Sequence, residues 1–212
     1  MFIEIAEALA QLAKSGQFDL AIQIAQKVDD ATMRSFAFSG IAKELIETKH
    51  IELINQFLNF AIKEAQKIKD ALMRFLIIFN IIKELTVTGH IDLTNQFLNF
   101  AIKEAQKIED AQRRWEAIFE IIKMLTQIGQ FDLAIQIAQK IDNPLQHSLA
   151  LSEIVKRLAK VGQFERAIAM IDRAILVAET IKVPITRLRA FAAIMAAKQE
   201  VEKRSKGSQE AK

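Results

Sequence analysis

The residues of this 212-residue chain that could do chemistry are three histidines, a scatter of carboxylates and a regular column of lysines. His50 and His90 follow equivalent turns forty residues apart, whereas a metal pair on one helix needs a spacing of three or four. His147 stands alone in the first turn of a helix, and all three histidines read as surface turn residues. Glu116 and Glu120 lie four apart, but no surrounding sequence supplies a dry pocket to separate their pKa values, so they read as a solvated helix face. Cysteine is absent, which removes disulfides, thiolate zinc sites and a cysteine nucleophile. With no glycine-rich phosphate loop and no nucleophile–base–orienter set, the expectation is a protein that is not an enzyme, with no cofactor and no metal.

Two columns recur. Lys43, Lys83, Lys123 and Lys156 each stand six residues before a turn anchor, within IAKEL, IIKEL, IIKML and IVKRL, while the first repeat has Ala10 there. One helical turn before these lysines stand Ser39, Phe79, Phe119 and Ser152, with Phe75 and Trp115 beside them. A second column, Asp30 with Arg34, Asp70 with Arg74 and Asp110 with Arg114, has the favourable i,i+4 order for helix ion pairs and reads as structural support.

The elements that must position these columns are tandem repeats. Residues 55–68 and 95–108 both read NQFLNFAIKEAQKI, and near copies of GQFDLAIQIAQK[VI]D start at Gly16 and Gly129. The turn anchors Gly16, Lys49, Gly89, Gly129 and Gly162 are separated by 33, 40, 40 and 33 residues. Asp30, Asp70, Asp110 and Asn143 lie nineteen residues before the next turn, so the first helix of each pair has constant length and the extra seven residues fall in the second helix. Seven residues are close to two turns and leave the apolar face almost unrotated. Asp or Asn at these positions predicts an N-cap, and Pro144 and Pro184 sit where a first helical residue needs no N–H. Repeats of this length stack rather than close into a globule. The reading is an all-α solenoid of about five helix–turn–helix repeats, roughly 1–29, 30–69, 70–109, 110–142 and 143–183, with a capping helix over 184–204 and a polar tail over 205–212.

The pattern running from Ile81 through Leu85, Gly89, Ile91, Thr94, Leu98 and Ala101, with Ala21, Ala134 and Ala167 at the small-residue site after the turn, resembles a divergent tetratricopeptide repeat. The chain departs from that family in having Leu9, Ala42, Ile82, Ile122 and Val155 mid-way along the first helix, and no tyrosine. The resemblance implies that the lysine column faces the inner, concave surface on which the family grips peptides. Lys43, Lys83, Lys123 and Lys156 would then select an acidic ligand, and Phe79, Phe119 and Trp115 would supply burial. Pentatricopeptide repeats, which bind RNA, share the turn and give the alternative reading.

Lysine and arginine number 29 against 26 acidic residues, and phosphate binding usually demands a more lopsided surface, so nucleic acid ranks second as a partner. The start carries Glu4 and Glu7 and lacks a basic segment, unlike a secretory signal, and no apolar run reaches the ~20 residues of a membrane span. The sequence-level expectation is therefore a cytoplasmic interaction scaffold or adaptor that binds an acidic protein or peptide. Oligomeric state is left open, with the longer second helices of the middle repeats offering a convex surface for self-association.

Overall fold

The computed structural model describes residues 8–9, 11–47 and 51–210. The anchor Lys49, His50, Ala10, Glu4 and Glu7 lie outside them. Among the described residues the chain is all-helical, with no strand. After a helical stretch at residues 11–14, the helices are α1 (Phe18–Gln26), α2 (Ala31–Glu47), α3 (Ile51–Ala65), α4 (Ala71–Val87) and α5 (Ile91–Gln106). They continue as α6 (Ala111–Gln127), α7 (Phe131–Ala138), α8 (Pro144–Lys160), α9 (Phe164–Glu179) and α10 (Pro184–Glu210). Contacts divide the chain into two compact units, Met1–Ala117 and Ile118–Lys212, with the division inside α6.

The boundaries follow from local hydrogen bonding. Asp70 is extended at φ −75° and ψ 118°, and its carboxylate accepts the Met73 N–H, which would otherwise have no partner in the first turn of α4. Asp30, Asp110 and Asn143 do the same for Met33, Arg113 and Gln146. At the other end of the first helices, Gly129 sits at φ +78°, where its N–H reaches the Thr126 carbonyl and the Gln130 N–H reaches back to the Leu125 carbonyl. This is the left-handed closure that favours glycine.

In the N-terminal unit α2 packs on α1, α3 and α4, and α4 packs also on α3 and α5. Having neighbours on several sides explains why α4 buries Phe75, Ile77, Ile78, Phe79, Ile81, Ile82 and Leu85 instead of a single stripe. In the C-terminal unit α8 packs on α7, α9 and α10, and α9 packs on α10. The small residues after each turn, Ala21, Thr94, Ala134 and Ala167, are fully buried, consistent with close helix approach at those points.

The Asp–Arg column is not a set of i,i+4 ion pairs. The aspartates are occupied as caps, and the guanidinium groups turn elsewhere. Arg34 donates to the Val28 and Asp29 carbonyls of the link before α2 and, from Nε, to Glu64 on α3 at 2.7 Å. Arg74 repeats the pattern with the carbonyls of Ile68 and Lys69 and with Glu104 on α5 at 2.5 Å. Each arginine therefore fastens the start of a first helix to the far end of its second helix. Lys67 and Lys107 complete the two clamps, each 2.6 Å from its glutamate. Arg114 keeps the carbonyl contacts with Ile108 and Glu109. The short repeats read QIAQK where the long ones read KEAQK, so Ile24 and Ile137 stand where Glu64 and Glu104 do.

The C-terminal helix also departs from the sequence reading. It continues through Ser205 to Glu210 instead of ending near 204. No proline interrupts it, and the Glu200–Arg204 ion pair at i,i+4 supports the last turns despite Gly207.

The clamps make the N-terminal unit sensitive to acid. Burial raises the pKa of Glu104, but hydrogen bonds from Lys107 and Arg74, reinforced by their charge, outweigh it and hold the carboxyl below its ordinary 4.5. Because the folded value is depressed, the stabilisation is complete above about pH 4.5 and is lost as pH falls through the lower native value. Arg74→Met is expected to cost about 3 kcal/mol at pH 7 in urea titration, at the low end for breaking a buried ion pair because Lys107 remains. The gap between variant and wild type should close as pH drops below 4.5, and Arg114→Met, which loses only carbonyl contacts, should cost about 1.5 kcal/mol. Gly129→Ala should cost about 1 kcal/mol by the same measurement. An added Cβ meets nothing within 4 Å, so this loss would come from the backbone alone.

Candidate functional site

Between α2 and α4 the surface opens into a cleft of about 290 Å³. It exists because α2 presents Ser39, Gly40 and Ala42 there, side chains too small to fill the space in front of Ile77 and Ile81 of α4. Phe36 stands at the cleft with 41% of its surface exposed. Lys43 and Lys83, forty residues apart in sequence, line the same cleft, joined by Glu84 and Asn80. The lysine column therefore comes together in space in the N-terminal unit.

The two lysines are held differently. Lys43 approaches Glu84 at 3.4 Å, a half-exposed pair across the cleft that contributes little to stability. Lys83 lies over the ring of Phe79, 5.0 Å from its centroid, so the ring face holds the ammonium in place while leaving its donors to solvent. The arrangement offers an apolar floor and cationic groups whose present partners are weakly held. It suits an apolar side chain carried beside a carboxylate.

Phe79 itself is a core residue, 3% exposed and stacked on Phe75 with ring centroids 5.0 Å apart. Its place in the site is to anchor Lys83 from beneath, and Phe36 is the aromatic that faces solvent. Sequence reasoning missed Phe36, although the Ser39–Gly40 pair inside a helix pattern, three and four residues on, signalled a surface hollow. Trp115, near the division between the units, is half-buried. In the C-terminal unit Lys123 pairs with Glu120 at 2.5 Å and lies 5.8 Å from the centroid of the half-buried Phe119. Lys156 is half-buried on α8.

A second, polar hollow lies beside the starts of α4 and α6, and four of its charged groups are already committed. Asp70 and Asp110 cap helices, and Arg74 and Lys107 hold Glu104.

Two histidines fall within the described residues. His90 precedes α5 at the turn, as expected. His147 is half-buried, not exposed: its Nε2 is buried without a hydrogen-bond partner, and burial followed by the charge of Arg173 pushes its pKa down. In repeat register it replaces Arg34, Arg74 and Arg114, and Val177 replaces the glutamate of the clamp. The C-terminal unit has thus exchanged the arginine–glutamate bolt for a neutral ring and an aliphatic side chain. No group of histidine, aspartate or glutamate among the described residues is arranged to hold a metal ion, and none of the described helices is long and apolar enough to cross a membrane.

No family model matches the chain, and no curated protein matches it. Among solved structures, the crystal structure of Ton1535 from Thermococcus onnurineus NA1 is similar with a TM-score of 0.46 and 15% identity, over 92% of this chain and 91% of that one.

Proposed function

We propose that the chain is a divergent tetratricopeptide-like α-solenoid that acts as a non-catalytic scaffold or adaptor, gripping an acidic, partly apolar peptide or helix. The observation that carries this reading is the meeting of Lys43 and Lys83 with exposed Phe36 over one apolar cleft between successive first helices. Packing within each unit supports the repeat arrangement. α2 packs on its own second helix and on the next first helix, α4, and α8 does the same with α9 and α10. In this reading Trp115 and, in the C-terminal unit, Lys123, Lys156 and Phe119 contribute further basic and aromatic contacts, and the protein acts in the cytoplasm.

An apolar side chain of the ligand fills the space over Ile77 and Ile81, and its flanking carboxylate takes Lys43 from Glu84 or meets Lys83 directly. Burial supplies the affinity, while the lysines steer the encounter and reject basic segments.

Peptide display against the purified full chain tests the reading. Selected sequences should carry Asp or Glu beside Leu or Phe. Reversing Lys43, Lys83, Lys123 and Lys156 to Glu should weaken their binding at least about a hundredfold, and Phe36→Ala about tenfold, with a modest dependence on salt. Selected peptides that bind the four-lysine variant equally well would contradict the site. Binding of single-stranded RNA with a steep log–log salt slope would favour the pentatricopeptide-like alternative.

A further inference from the structure

The two lysines of the cleft stand at one repeat position, yet their surroundings differ, and the difference begins in the sequence. One helical turn before Lys83 stands Phe79, whereas one turn before Lys43 stands Ser39. The Phe79 ring holds the Lys83 ammonium 5.0 Å from its centroid, and among the described residues Lys83 makes no ion pair. Ser39 offers Lys43 no ring, and its hydroxyl donates to the Ser35 carbonyl of its own helix. Lys43 instead reaches across the cleft to Glu84 of α4 at 3.4 Å. Glu44, the equivalent carboxylate of α2, is likewise within ion-pair range of an earlier lysine, Lys14, at 3.9 Å.

One of the two cationic groups at the cleft is thus already neutralised and the other is available. A ligand carboxylate brought to Lys43 would share that ammonium with Glu84, and two carboxylates in contact with one cation repel each other. At Lys83 it would meet an unpaired ammonium already positioned by the ring beneath it, so less freedom is lost on binding. The Lys43 and Glu84 side chains are 50% and 39% exposed, so the pair adds little to stability and its effect is on which ligands are accepted.

We infer that Glu84 sets the charge rule of this cleft: by occupying Lys43 it restricts the site to segments with a single carboxylate beside the apolar side chain, received by Lys83, and turns away a second acid. The inference rests on the reading of the cleft as a peptide site and adds which lysine receives the acid. Lys43 serves to cancel the charge of Glu84, so removing both leaves the net charge of the cleft unchanged. The ligand class narrows to segments in which one Asp or Glu adjoins the Leu or Phe and the residue on its other side is uncharged.

The test uses the full chain and the tightest one-acid peptide from the display, with blocked ends, as selected and with a second Glu placed on the other side of its apolar residue. None of Lys43, Lys83 and Glu84 is buried, so their variants keep the fold. In calorimetric titration the second acid should bring no gain with the wild type and should tighten binding about tenfold with Glu84→Gln. Lys83→Met should weaken the one-acid peptide at least about tenfold, while Lys43→Met combined with Glu84→Gln should leave it within about twofold of the wild type. The inference is overturned if the second acid tightens binding to the wild type as much as to Glu84→Gln, or if the combined variant loses as much as Lys83→Met. A wild-type selection dominated by peptides with acids on both sides of the apolar residue would also overturn it. Those outcomes leave the peptide site standing, whereas a display that yields no peptide dependent on Phe36 removes the site and this inference together.

Discussion

Within each unit one helix is covered on two sides: α2 packs on α3 and on α4, and α8 packs on α9 and on α10. That double coverage organises everything else. Having neighbours on several sides explains why α4 is apolar on most of its circumference and why small residues recur where helices approach. It also defines the cleft. Where α2 meets α4 through Ser39, Gly40 and Ala42, the two faces do not quite close, and the remaining hollow lies beside Lys43 and Lys83.

The two units hold their helices by different chemistry. In the N-terminal unit Arg34 and Arg74 bind backbone carbonyls at one end and a glutamate thirty residues away at the other, so charge locks the register of the helix pair. In the C-terminal unit His147 and Val177 occupy the corresponding positions, and Pro144 and Asn143 fix the start of α8 without a clamp. The N-terminal unit therefore has two buried arginine–glutamate clamps between helices, whereas α8 and α9 have His147 and Val177 at those positions.

What could be read from the sequence was whatever depends on neighbours in the chain. Asp70, Asn143 and Gly129 mark helix ends because their hydrogen bonds reach only three to five residues. The lysine column was legible as a spacing, and the seven-residue insertions fell in the second helices. The partners of Arg34 and Arg74 were not legible, because Glu64 and Glu104 are local only after the helices fold back. The burial of Phe79 and the exposure of Phe36 were hidden for a related reason. Both lie on apolar faces of their helices, and only the packing of α2 on α4 decides which of them meets water. His147 could have been linked to the arginine column by repeat register, since it stands four residues after Asn143 as Arg74 does after Asp70.

Residue-resolved hydrogen exchange on the full chain tests most directly the claim that α4 and α8 are held by neighbours on more than one side. The account predicts that amides of α4 and α8 are strongly protected, and that those of α10, where Ile185, Leu188 and Met195 are exposed, exchange faster. If α4 or α8 exchanged as fast as α10, the claim would be contradicted.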